Sequence, residues 1–236
     1  MNAVDYYQEN AKKAVANFAD QSLEIRYQMV EALNAKILKR ILDLGCGAGQ
    51  EMVPFLKRTA AFCIGVDISE GIGDSAKNFF GNFQIENPNG GECRVAFLQT
   101  EGERLPFVDG CFDLILCRVS LPYMNNREAI AEISRVLSFG GTLLLKAHSP
   151  LFYVSMIPKR LAKLSAAQLA YPVICLVGGT WHLISGRQPM KGFWTGKEVF
   201  QTKRYLRREF ARHGMEIKGY LPDNNPQTPS MIVEKI

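Results

Sequence analysis

The chain has 236 residues, of which 47% are hydrophobic, 22% charged and 10% aromatic. That balance excludes collagen-like, coiled-coil and disordered chains and leaves room for one domain with an insertion, or two small domains. The net charge of +5 is uneven: residues 187–218 carry nine Lys or Arg against three Glu, so the remainder is close to neutral. The opening run MNAVDYYQENAKK lacks the apolar stretch of a secretory signal, so the expected location is cytoplasmic. Six cysteines form no C-x-x-C pair, and most sit in apolar runs such as FCIGV and LILC. They read as buried reduced thiols, with no metal site expected.

The first forty residues predict two helices. Val4, Tyr7, Ala11, Ala14, Val15 and Phe18 recur at helical spacing, and a second run covers 23–38 behind Asp20 or Ser22 as N-cap. The period then changes. Short apolar runs at 40–44 (RILDL), 61–66 (AFCIGV), 94–98 (RVAFL), 112–117 (FDLILC) and 142–146 (TLLLK) have the length and content of buried strands. Helices are expected between them at 50–57, 69–80 and 127–137. Strand and helix in alternation imply an α/β fold, a doubly wound parallel sheet covered on both faces.

Residues 165–186 carry no Asp, Glu, Lys or Arg, yet Gln168, Pro172, Gly178-Gly179 and His182 reduce the strongly apolar part to 169–177. A bilayer-spanning helix needs about 20 mostly apolar residues. The segment 149–195 is therefore expected to be a helical insertion over one end of the sheet, with weak membrane-surface contact as a minor option. The fold resumes with a helix over 198–213, with Val199, Leu206 and Phe210 on one face and Lys203, Arg204, Arg207, Arg208 and Arg212 mostly off it. Gly214 ends that helix, and strands follow at 215–221 and 230–234. The expected division is 1–38 as covering helices, 39–148 as ligand-binding core, 149–195 as lid, and 196–236 as completion of a seven-stranded, mostly parallel sheet.

The strongest chemical signal is ILDLGCGAGQ at 41–50, where a strand enters a glycine-rich turn that opens a helix. Gly45, Gly47 and Gly49 permit positive φ and close approach of a ligand to the backbone. A dinucleotide loop would place a third glycine at position 50, which is Gln. A tight turn without a ligand is the plain alternative. Asp67 ends the second strand in IGVDIS, where a carboxylate can accept both hydroxyls of a ribose, or cap the following helix.

The run Asp43-Leu44-Gly45-Cys46-Gly47-Ala48-Gly49 resembles motif I of class I S-adenosylmethionine-dependent methyltransferases. Asp67, the stretch from Gln99 through Leu105-Pro106-Phe107 into Phe112-Asp113-Leu114-Ile115, and REAIAEISRVLSFGGTLLLK at 127–146 follow in that family's order. The last of these is similar to the small-molecule, type 11-like branch related to quinone-biosynthesis enzymes. The resemblance covers about 41–146, under half the chain. It implies a Rossmann-like fold and S-adenosyl-L-methionine as cofactor, with S-adenosyl-L-homocysteine as product. It assigns to the cofactor Asp43, Gly45, Cys46, Gly47, Gly49, Asp67, Ile68 on the adenine face, Glu101 in place of the family's Asp, Gly102 and Glu103. Arg118 is expected to bind the cofactor carboxylate or pair with a nearby acid. Tyr7 is expected to close over the cofactor or to pack.

Sulfonium already activates the methyl group, so the protein must chiefly position the acceptor, and a base helps only a hydroxyl or a protonated amine. His148, at the end of the fifth strand, and His182, in the insertion, are the candidate bases. Each has loop bonding or packing as its alternative. Ser120 and Tyr123, after the fourth strand, and Tyr153, Trp181 and Trp194, in the insertion, are the expected substrate contacts. Their composition suggests a small apolar or aromatic acceptor of O, N or C methylation. A nucleic-acid methyltransferase using the basic helix at 203–212 is a second reading. Against it, Cys117-Arg118-Val119-Ser120-Leu121-Pro122-Tyr123 lacks the Asn- or Asp-Pro-Pro-Tyr pattern of amino-group methylases. A non-catalytic cofactor-binding protein is a third, and an aminopropyl transferase ranks lower because 118–125 supplies no carboxylate. The expected assembly is a monomer or homodimer.

Overall fold

The computed structural model describes residues 20–33, 37–70, 76, 80, 94–161 and 166–236. Each apolar run becomes a strand: β1 (Arg40–Leu44), β2 (Phe62–Asp67), β3 (Val95–Gln99), β4 (Phe112–Arg118) and β5 (Leu137–Lys146), joined late in the chain by β6 (Met215–Tyr220) and β7 (Ser230–Lys235). They form one seven-stranded sheet in the order β3-β2-β1-β4-β5-β7-β6. The first five are parallel, and β7 enters antiparallel between β5 and β6. Chain order reverses between β1 and β4. The crevice at their carboxyl ends is thus the switch point at which open α/β sheets bind ligands.

The central strands read as continuous apolar runs because both faces are covered. Leu42, Ile115 and Leu143 enter one core layer with Ile130 and Ile133 of α3 (Asn126–Val136) and with Leu206 and Phe210 of α6 (Lys203–Arg212). Their neighbours Ile41, Leu114 and Leu144 enter the opposite layer, with Met29 of α1 (Asp20–Glu31) and Phe55 of α2 (Val53–Arg58). After β5, helices α4 (Pro150–Leu161) and α5 (Ala166–Ser185) pack on one another. Among the described residues, no helix is long and apolar enough to cross a membrane.

Several boundaries differ from the sequence expectation. The helix expected at 50–57 starts only at Val53, because the loop turns repeatedly through Gly45, Gly47 and Gly49 and Pro54 fits the first helical turn. The run expected at 23–38 is helical only to Glu31. The fifth strand starts at Leu137, directly after α3, rather than at 142. Helix α5 runs through Pro172 and Gly178-Gly179. Those glycines serve contact: a Cβ at 178 would lie 2.8 Å from the Trp194 ring, and one at 179 would lie 2.2 Å from Phe200. The helix expected from 198 begins at Lys203, where Thr202 accepts the Tyr205 N–H at 3.1 Å as N-cap. Glu198 and Val199 therefore lie in the preceding loop. Of the helix expected at 69–80, Ser69, Glu70, Ala76 and Phe80 are described, Ser69 in a bend and Glu70 in a turn. The first expected helix, with Tyr7, lies outside the described residues.

Candidate active site

The glycine loop hangs from the end of β2. The N–H groups of Gly45 and Cys46 both donate to the Val66 carbonyl, at 2.8 and 3.0 Å, and Gly47 N–H donates to Asp67 Oδ2 at 3.0 Å. Gly45, Gly47 and Gly49 hold φ of +72°, +53° and +86°, which side chains resist. From β4, Ser120 donates its hydroxyl to the Leu44 carbonyl at 2.6 Å and closes on Gly45 from behind. Cys46 is buried, with its sulfur against Gly65, so this residue offers a ligand its backbone. Burial, then Asp43 and Asp67, push its thiol well above the usual range.

Asp67 uses one lone pair on each oxygen for the loop: Oδ2 takes Gly47 N–H, and Oδ1 takes Ser69 N–H at 2.9 Å. A carboxylate has about four acceptor sites, so each oxygen keeps one for a ribose hydroxyl. Both sequence expectations for Asp67 are thus geometrically compatible. Ile68 beside it is 40% exposed, an apolar face at the tip of β2. Glu101 is exposed after β3, and Gly102 is buried where a Cβ would meet Met124 at 2.7 Å. Glu103 turns away from the loop to accept Asn125 N–H at 2.7 Å, before α3, and burial raises its pKa.

Arg118 pairs with a nearby acid. It donates to Ser230 Oγ at 2.7 Å, bonds Asp223, and places Nε 3.6 Å from Glu51. Lys146 joins Asp223 at 2.7 Å, and Arg26 of α1 bonds Glu51 at 2.5 Å. Burial alone would raise the Asp223 pKa. The Arg118 charge and the Lys146, Arg118 and Ser230 hydrogen bonds outweigh it and hold the carboxyl at about 2. Asp43, fully buried at the end of β1, keeps Oδ2 without a partner among the described residues. Burial, then Glu51 and Asp67, raise it well above the carboxylate range.

A second cluster forms at the carboxyl end of β5 around Glu198, which is 4% exposed. Its Oε1 accepts the hydroxyls of Tyr123 (2.9 Å) and Tyr171; its Oε2 accepts the Tyr153 hydroxyl (2.7 Å) and contacts His148 Nδ1 (2.5 Å). Burial would raise the Glu198 pKa, but the His148 contact and the tyrosine hydroxyls hold it below the ordinary range. The Tyr153 and Tyr171 hydroxyls are pushed strongly up, by burial first and then by the Glu198 charge, so they keep their protons. The His148 ring stacks on Phe152 at 3.7 Å.

Of the expected substrate and base residues, His148, Tyr123 and Tyr153 are brought together here. Ser120 is not free to serve a substrate as donor, because its proton goes to Leu44. Trp181 is 57% exposed on the outer side of α5 with Val173, Val177 and Ile184. Trp194 packs on Gly178. His182 is buried edge-on to Tyr205 of α6, apart from the His148 cluster, and burial lowers its pKa. Sequence reading missed Glu198 by placing it in a helix. The local signal was Thr202, a better N-cap four residues on.

A doubly wound sheet with an antiparallel strand next to its far edge, a glycine loop after β1 and a carboxylate at the tip of β2 define the class I methyltransferase architecture. Residues 42–145 match the methyltransferase domain family, so this segment carries the sequence pattern of a class I S-adenosylmethionine-dependent methyltransferase of the type 11 branch. It is 34% identical over 121 residues to an uncharacterized methyltransferase, YcgJ, of Bacillus subtilis (strain 168), covering 51% of this chain and 45% of that one. It is 28% identical over 140 residues to norajmaline N-methyltransferase of Rauvolfia serpentina, covering 59% and 45%. The chain thus spans under half the length of these two relatives. A SAM-dependent methyltransferase structure from Methanosarcina mazei superposes with a TM-score of 0.60 at 19% identity, covering 88% of this chain and 97% of that one, which shows the shared fold. The family's cofactor is S-adenosylmethionine.

Proposed function

We propose that the protein transfers a methyl group from S-adenosylmethionine to an O, N or C nucleophile of a small, apolar or aromatic molecule. The observation that carries the reading is Asp67, whose two oxygens each keep an acceptor site while fastening the glycine loop. The residues fit the cofactor. Gly45, Gly47 and Gly49 leave backbone without Cβ atoms, Asp67 would hold the ribose, and Ile68 would lie on the adenine. When bound, the cofactor supplies a methyl group already activated on positive sulfur. The chain must then hold an acceptor in line and exclude water, and orientation of this kind is worth several kcal/mol.

A small acceptor is favoured by the aromatic wall over β5, where Phe152, Tyr153 and Tyr171 pack with Cys175 and Phe200. The norajmaline relative, named for a small-molecule acceptor, agrees. The basic helix gives less support to a nucleic-acid partner: Arg208 and Arg212 of α6, and Arg127 of α3, gather around the buried Glu209. Calorimetric titration with S-adenosylhomocysteine tests the cofactor assignment. Asp67→Ala is expected to bind about tenfold to a hundredfold more weakly, one or two charge-assisted hydrogen bonds. Equal affinity would contradict the assignment. Mass spectrometry of acceptor mixtures then identifies the compound that gains a methyl group.

A further inference from the structure

We infer that this site is built for a neutral hydroxyl acceptor, with His148 Nε2 taking the hydroxyl proton and Glu198 acting as the positioning residue that fixes the ring. The inference rests on the methyl-transfer reading above and adds the acceptor's chemistry to it.

Glu198 is saturated. Its carboxylate has about four acceptor sites, and four groups occupy them: Tyr123 and Tyr171 on Oε1, Tyr153 and His148 Nδ1 on Oε2. It has no lone pair left for a substrate and is not itself the base. The three tyrosines are equally committed, because each hydroxyl has one proton and gives it to Glu198. What remains is His148 Nε2, which has no hydrogen-bond partner among the described residues. A carboxylate on Nδ1 selects the tautomer with the proton on that nitrogen, which leaves the lone pair on Nε2. The ring is also held by stacking on Phe152, at 13° between planes, by the edge of Tyr153, and by Gln201 N–H on the His148 carbonyl at 2.9 Å.

The cluster is tied to the cofactor loop. Val199 N–H donates to the Pro122 carbonyl at 2.9 Å, Pro122 and Tyr123 belong to the turn that follows Ser120, and Ser120 rests on Gly45. One free acceptor beside aromatic faces matches one donor on an apolar molecule. An ammonium brings three donors and a charge, and Glu198 has no site left to receive them. A carboxylate acceptor would meet the fixed negative charge and would need no base.

The chemistry balances. The acceptor O–H bond breaks and its proton passes to His148 Nε2, then to solvent. The oxygen electron pair forms the new bond to the methyl carbon, and the C–S pair stays on sulfur, giving the neutral thioether. The step uses no oxidant or metal.

The test uses two phenols of different acidity. At a pH where 4-nitrophenol is already ionised it needs no base, whereas 4-methylphenol does. In His148→Gln and Glu198→Gln the ratio of turnover on 4-methylphenol to turnover on 4-nitrophenol is expected to fall by about 100-fold, the lower range of general-base contributions. A merely structural defect would lower both alike. A readout independent of turnover is the imidazole 15N spectrum. The chain has three histidines, so His148→Gln assigns the His148 signals. The expected wild-type form is Nδ1–H with an unprotonated Nε2, lost in Glu198→Gln. An unchanged ratio, an Nε2–H tautomer in the wild type, or faster turnover of anilines or benzoates than of phenols overturns the inference. So does a protein that binds S-adenosylhomocysteine but methylates no phenol. Failure to bind S-adenosylhomocysteine overturns the methyl-transfer reading instead, and thermal melting separates unfolded variants from informative ones.

Discussion

Ser120 and Gly45 interlock at the mouth of the β1–β4 crevice: the Ser120 hydroxyl donates to the carbonyl just before the glycine, at 2.6 Å, and a Cβ on Gly45 would stand 2.2 Å from Ser120 Cβ. Position 45 therefore excludes side chains twice, by this contact and by its φ of +72°. Gly45→Ala is expected to cost about 2–4 kcal/mol, combining left-handed strain with overpacking. Adding Ser120→Gly removes the contact but not the strain, so the double variant should recover about half. Urea unfolding of the single and double variants measures this. A single variant as stable as wild type would show that the loop does not pack this way.

Asp223 gathers Arg118 and Lys146 at the other side of the crevice. Its carboxyl is held at about 2, below the unfolded value of 3.8. A depressed acid stabilises the fold above its unfolded pKa and loses that contribution as pH falls through the folded one. The contribution should be complete above about pH 4 and gone near pH 2, up to about 2 kcal/mol for such a shift. Asp223→Asn should be less stable than wild type at pH 7 by about that amount, with the gap closing in acid. A constant gap in unfolding free energy from pH 7 to pH 2 would contradict the pairing.

Val119, between Arg118 and Ser120, holds φ of +66°, the one non-glycine among the described residues with positive φ. A β-branched side chain there costs about 1–2 kcal/mol. The Val119 N–H bond to the Lys146 carbonyl, at 2.8 Å, keeps the strand ends in register. Asparagine tolerates this conformation. Val119→Asn is expected to match or exceed the wild-type unfolding midpoint even though it replaces an apolar side chain. A loss above about 1 kcal/mol would show that valine is not strained.

Gly179 lets α5 close on Phe200, where a Cβ would fall 2.2 Å from the ring. Phe200 shares its cluster with Tyr153 and stands two residues from Glu198. Gly179→Ala should cost about 1–3 kcal/mol as an overpacked contact. On the proposed division of the site it should reduce acceptor turnover while leaving S-adenosylhomocysteine affinity unchanged. Equal loss of both would place this helix in the cofactor half.

Strands β1, β2 and β4 were legible because burial on both faces demands continuous apolar runs, a property of neighbouring residues alone. The glycine loop was legible for the same reason, since positive φ at 45, 47 and 49 is a demand on single residues. The amino-acid order thus determined the α/β class, the loop and the carboxylate at the tip of β2. It did not determine which partner a charged or hydroxyl group would choose. Arg118 took Asp223, 105 residues away. Glu198 collected donors 27, 45, 50 and 75 residues distant. Its own segment lies before the Thr202 cap, and the assembled sheet sets which of those distant donors reach it. Hydrogen bonds and ion pairs act over a few ångströms through space, so their partners are settled only after the strands are in order.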